Sequence, residues 1–250
     1  FKSSLVGASL YLVLPNHLGF TWYFRQTVGE FLAFLILPLL VYFIIAVGER
    51  VRGPEIGLAV CFAALALSHL PSLVTVSCFL FVVLISSAVP GASRLAPKAV
   101  NILRVGLAGL LGMGLAAVYW LPAISLLDEV SPAHFFRDRL LWDQWLFFDG
   151  VAEPFDLVDF GGILKAYLLL GTGIAIYSLS LSSSVHRELK PWIVLPLFTA
   201  WLFMTPLSWP LWQYLPMLYK IQFPYRFMLI FDLGLGIALL HLCVVWAEQR

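Results

Sequence analysis

The sequence predicts an all-α integral membrane protein of about seven transmembrane helices, on three grounds. Of its 250 residues, 61% are hydrophobic and only 12% charged, against roughly 25% charged in ordinary soluble domains. The apolar residues form runs spread over the whole chain, not one terminal block of the kind a secretory leader or single anchor would give. The charges collect in the connections between those runs. Residues 1–250 therefore read as one polytopic membrane domain. Phe1 stands where an initiator methionine would, and WAEQR follows directly on an apolar run, so both ends read as cuts within a longer protein.

A bilayer core of about 30 Å takes roughly 20 helical residues per crossing, with about 17 as a practical minimum. The expected crossings are 30–48, 56–70, 72–89, 102–121, 163–181, 192–205 and 227–246, of which the second and sixth are short. The compact connections GERVRGPE, PGASRLAPKAVNILR and SSSVHRELK are basic, and basic connections stay on the cytoplasmic side. Two crossings separate each from the next, so all three can lie inside. The residues before Glu30, the apex SHLPS, the segment 122–162 and the stretch YKIQFPYRFML then lie outside. Segment 122–162 is an acidic extracytoplasmic loop whose HFFRDRLLWDQWLFF run has the spacing of an interfacial helix.

Other classes are excluded. A net charge of +1 with no basic stripe argues against a nucleic-acid partner. Cys61, Cys78 and Cys243 lie in apolar runs without metal-ligand spacing and read as small core residues. The glycines of GLAGLLGMG, residues 106–114, lack the strand and helix-opening turn of a phosphate loop. They serve helix packing, as do those of LGTGIAI and DLGLGIA.

The candidate site residues stand at the outer ends of crossings. Glu30 lies near the positive end of the first, where a carboxylate is favoured, so capping alone accounts for it. Arg25, among Trp22, Tyr23 and Phe24, can snorkel to phosphates of lipid or of a lipid-linked substrate. His69 in the apex either faces a wet cavity or makes a single interfacial hydrogen bond. Asp232 falls inside the last crossing and should face protein or water. An i to i+6 offset puts Arg226 on another helix face, so those two are not expected to pair. In YKIQFPYRFML, Pro224 suits a first helical position. Arg226 then opposes the helix dipole by about 0.3–1 kcal/mol, an arrangement that makes most sense with an anion present; the plainer reading is a headgroup anchor within an aromatic belt.

YFRQTVGEFLAFLILPL, ALSHLPS, GLAAVYWLPAI and PLWQYLPMLYKIQFPYRFML, in that order, resemble the multi-spanning bacterial membrane proteins called 6-pyruvoyl-tetrahydropterin synthase-related. Those proteins are similar to GT-C superfamily glycosyltransferases. The resemblance covers nearly the whole chain. It implies a GT-C-like fold in the inner or plasma membrane, its active face extracytoplasmic, and sugar transfer from a polyprenyl-phosphate donor to an extracytoplasmic acceptor. It further implies that Arg25, Lys220, Gln222 and Arg226 hold the donor phosphate while Glu30 and His69 line the cavity. The carboxylate that activates the acceptor or binds a divalent metal would lie before Phe1. A transporter or flippase of lipid-linked substrates would need a similar phosphate site. Its usual mark, paired broken helices in two halves, is not visible in the sequence. A non-catalytic envelope-assembly protein is the third alternative.

Overall fold

The computed structural model describes residues 2–24, 27–48, 53–88, 102–126, 129, 142–148, 158–183, 185–221 and 223–249. The described residues are helical, with turns and short connections and no strand. They form two compact units, Pro15–His134 and Phe1–Leu14 with Phe135–Arg250.

The Pro15–His134 unit begins with a π-helical segment, Asn16–Phe24, followed by α2 (Val28–Gly48), α3 (Pro54–Ser68), α4 (Leu70–Ala88), α5 (Ile102–Leu115) and α6 (Ala117–Ser125). Gly53 adopts φ 95°, a left-handed conformation open to glycine, and hands the chain to Pro54 at the first position of α3. Helix α3 packs between α2 and α5. Leu37, Leu40, Ile44, Leu58 and Leu65 are fully or almost fully buried. The contact with α5 is close because Gly112 lacks a Cβ; a methyl there would stand 2.6 Å from the Ala59 carbonyl oxygen. Of the GLAGLLGMG glycines, Gly112 serves tight packing, whereas Gly106 and Gly114 face open space. Arg104 ties the start of α5 to the mouth of α3 through the Glu55 carboxylate, and donates to the Val47 carbonyl at 3.1 Å.

The other unit contains α1 (Lys2–Leu12), the 3₁₀ turn Trp142–Trp145, α7 (Val158–Ser180) and α8 (His186–Met204). After the turn Pro206–Ser208 come α9 (Trp209–Tyr214), α10 (Pro216–Tyr219), the 3₁₀ turn Pro224–Phe227 and α11 (Met228–Glu248). Helix α11 is apolar all round and buried continuously from Met228 to Gly236, as a central helix should be. It packs on α1, α7 and α8. Helix α1 runs antiparallel to it, Gly7 meeting Leu240 and Tyr11 meeting Gly236. The expectation that everything before Glu30 lies outside therefore fails for α1, which lies alongside the middle of the last span.

The expected crossings fall largely in helical segments, although 102–121 runs across the break between α5 and α6. Val28–Gly48, Leu70–Ser87, Gly162–Ser180 and Pro224–Glu248 are long and apolar enough to cross a membrane by themselves. Two bent pairs raise the four to as many as six, while Pro54–Ser68 is shorter. The chain is a helical, membrane-embedded protein.

The two bends overturn one reading of the sequence. Ile102–Leu115 meets Ala117–Ser125 at 68°, and His186–Met204 meets Pro206–Tyr214 at 75°, so each unit contains one broken helix. The first break contains no proline, which is why it escapes a search for helix breakers. There the Trp120 indole N–H donates to the Met113 carbonyl at 2.8 Å, inserting a side chain into the backbone ladder. At the second, Pro206 supplies no N–H and holds Thr205 extended. The buried Phe203 carbonyl accepts from the Trp212 indole at 3.0 Å and from the Ser208 hydroxyl at 3.2 Å.

Candidate functional site

The candidate residues fall in both units. In Pro15–His134, Thr27 precedes α2, and its hydroxyl donates to Glu30 Oε2 at 3.2 Å. Glu30 is buried at 4% exposure within the first turn, where backbone N–H groups and the helix dipole favour a carboxylate. Gly29 lies directly against the Ser68 carbonyl, and a methyl there would also stand 3.5 Å from His69 Cβ. The fold thus brings the chain around Glu30 and the apex around His69 to one place, although they are distant in sequence.

His69 closes α3 with its backbone N–H on the Leu65 carbonyl and opens α4 with its ring. The Ser72 backbone N–H donates to His69 Nδ1 at 3.2 Å, and the Ser72 hydroxyl lies 2.7 Å from the same nitrogen. A backbone N–H can only donate, so Nδ1 accepts and the neutral ring carries its proton on Nε2. Held this way, the ring acts as a donor through Nε2, a role that suits binding an oxygen better than abstracting a proton.

His17 joins this polar set without a sequence signal to announce it. Its ring centroid lies 3.9 Å from that of Phe34, one turn along α2 from Glu30, and Asn16 and Thr21 are buried on the same π-helical segment. The only cue was the position of His17 in a stretch whose helix type periodicity does not identify. Arg25 lies outside the described residues.

The second location is the mouth of α11. Arg226 lies in the Pro224–Phe227 turn, which leads directly into α11, so proline and arginine stand as expected. Its Nη1 donates to the Ile221 carbonyl, and its guanidinium lies over the Phe223 ring at 5.1 Å. A carbonyl dipole and an aromatic face partly compensate a cation at the positive end of a helix. Lys220 is exposed two residues before Gln222, which lies outside the described residues.

Aromatic residues wall this mouth. Trp145 meets Phe223 and Tyr225 edge-on, at 5.1 and 5.4 Å, and those two rings stack at 5.2 Å. Trp142 lies edge-on to Trp209 at 4.8 Å and stacked with Trp212 at 5.9 Å. Of the run HFFRDRLLWDQWLFF, only residues from 142 onward are described. They form the short Trp142–Trp145 turn, docked through buried Trp142, Leu146 and Phe147. The Phe147 N–H donates to the Met204 carbonyl at 2.7 Å.

Asp232, not expected to pair with Arg226, has a partner on α7. Tyr167 Oη donates to its Oδ1 at 2.8 Å, joining α7 to α11, and Tyr11 is also within electrostatic range. His241 is another residue that the sequence did not single out. It is fully buried, with the Ser178 hydroxyl 2.9 Å from Nδ1 and the Ser183 hydroxyl 2.8 Å from Nε2. Both groups tie helices together.

The described residues offer no donor set for the divalent metal that the resemblance allows: no three His, Cys, Asp or Glu side chains gather closely enough among them. No family model, curated protein or solved structure matches the chain.

Proposed function

We propose that this chain belongs to a GT-C-like glycosyltransferase that transfers a sugar from a polyprenyl-phosphate donor to an extracytoplasmic acceptor. The observation that carries the reading is the mouth of α11, where the Arg226 guanidinium sits among aromatic rings at the start of the most buried apolar helix. An anion with an apolar tail fits such a place: the phosphate meets the guanidinium, and the tail meets lipid and apolar helix.

In this proposal seven crossings place the three basic connections inside and the mouth outside, in an inner or plasma membrane. The acceptor hydroxyl attacks the anomeric carbon, the bond from that carbon to the phosphate oxygen breaks, and the acceptor proton passes to a carboxylate base. Polyprenyl phosphate leaves as an anion stabilised by Arg226. The resemblance assigns Glu30 and His69, in the Pro15–His134 unit, to a cavity lining, a role in which His69 would act as a donor. The relation to 6-pyruvoyl-tetrahydropterin synthase-related membrane proteins is part of the same proposal.

The test is sugar transfer from a radiolabelled polyprenyl-phosphate donor in proteoliposomes. Arg226→Ala should abolish transfer while the protein inserts normally, and Arg226→Lys should retain a fraction of it. Full activity in Arg226→Ala removes the phosphate-site assignment.

The two broken helices, one per unit, favour a second reading, a transporter or flippase of lipid-linked substrates. Purified protein that moves a lipid-linked sugar between leaflets and makes no glycosidic bond would establish it in place of the first.

A further inference from the structure

We infer that Asp143 is a sugar-binding residue: its carboxylate accepts hydroxyl hydrogen bonds from the glycosyl group of a polyprenyl-phosphate donor held at the mouth of α11 beside Trp145. The inference rests on the donor reading above and gives the mouth of α11 a second ligand-binding element besides Arg226.

The starting observation is a polar atom without a partner. Asp143 Oδ1 is buried and accepts no hydrogen bond. Buried polar atoms are nearly always paired, and an unpaired one is destabilising; Asp143 as a residue is partly exposed, so the cost falls on this one oxygen. An alanine would avoid that penalty, so the aspartate is best explained by a donor that comes from outside the chain.

The position of Asp143 agrees with this. It shares the Trp142–Trp145 turn with Trp145, and that turn packs on the Pro224–Phe227 turn carrying Arg226. Trp142, clamped between Trp209 and Trp212, anchors one end of the turn. Just beyond the other end, Phe148 adopts φ 65°, a left-handed conformation that is a genuine outlier for so bulky a residue. It is held there by its stack on Trp201 at 5.9 Å and by Lys165 over its ring at 5.9 Å. Backbone outliers of this kind cluster in segments positioned to meet a ligand.

The chemistry narrows the ligand class. A carboxylate on the same turn as Trp145 can receive either a cation or a polyol. The Arg226 guanidinium already occupies the Phe223 face, which disfavours a second cation. A sugar phosphate satisfies all three elements: hydroxyls for Asp143, a ring face for the aromatics and an anion for Arg226.

The experiment compares two probes on the purified full chain in nanodiscs: farnesyl phosphate, and farnesyl phosphates carrying glucose, mannose, galactose or arabinofuranose. Tryptophan fluorescence reads binding, and thermal unfolding is measured in parallel. Wild-type protein should bind at least one sugar-bearing probe more tightly than farnesyl phosphate. Asp143→Ala should weaken that probe about tenfold or more, leave farnesyl phosphate unchanged, and keep or raise the unfolding midpoint; Asp143→Asn should lose less. Arg226→Ala should weaken both probes. Equal wild-type affinity for bare and sugar-bearing probes, or unchanged sugar binding in Asp143→Ala, overturns this assignment while leaving the phosphate site standing. Equal weakening of both probes by Asp143→Ala, with a lowered midpoint, overturns it in favour of a structural role. Wild-type protein that binds neither probe overturns the donor reading and this inference with it.

Discussion

Replacing Tyr167 by phenylalanine isolates the hydrogen bond through which α7 holds the buried carboxylate of α11. The bond is 2.8 Å long and its acceptor, Asp232, is 0% exposed. The substitution removes one oxygen and no carbon, so cavity formation adds little. Hydrogen bonds to charged groups contribute about 1.5–3 kcal/mol in general. Side-chain bonds within membrane proteins average about 0.6 and reach about 1.7 kcal/mol, because the unfolded chain in a bilayer finds other partners. Complete burial of Asp232 pushes the value towards the top of the membrane range, and Tyr11 nearby cushions the loss. The expected destabilisation is therefore about 1.5 kcal/mol, or roughly 3–6 °C in unfolding midpoint for a chain of this size. The assay is thermal unfolding in mild detergent with a thiol-reactive dye, since Cys61 is buried and Cys78 and Cys243 are partly so. Tyr167→Phe combined with Asp232→Leu should lose less than the sum of the single variants. A Tyr167→Phe midpoint within about 1 °C of wild type, or strict additivity in the double variant, would refute the reasoning.

Two further outcomes are expected. Gly112→Ala should destabilise by about 1–3 kcal/mol, because its methyl meets the Ala59 carbonyl and Phe62 Cβ at 2.6 Å. Gly106→Ala and Gly114→Ala, which face open space, should be neutral or stabilising by up to about 1 kcal/mol through helix propensity; the same thermal assay separates them. The Glu55 carboxyl is held below its ordinary value of 4.5, first by its own backbone N–H and then by the Arg104 side chain. Stability from this group is thus present above pH 4.5 and lost as pH falls through the lower folded value. Glu55→Gln should flatten the acid limb of the midpoint against pH, and high salt should shrink the difference, because the pair is solvent-accessible. An unchanged acid limb in Glu55→Gln would remove the carboxyl from the account.

The sequence by itself determined the helical membrane class, the apolar runs that form the long helices and the turn that places Pro224 and Arg226 at the mouth of α11. These features follow from local quantities: apolar run length, the fixed φ of proline, and charge confined to connections. The tertiary structure alone decided which side chains meet. Asp232 pairs with Tyr167, 65 residues away, and His241 with Ser178, 63 residues away. No periodicity encodes such pairings, because they depend on how helices pack. The break after α5 was hidden for the same reason, since an indole N–H inserted into the ladder replaces the proline that a reader looks for. Asp143 is the sharpest case. In sequence it was one of eight acidic residues in the 122–162 segment; that its Oδ1 is buried without a partner is a property of the packed chain alone.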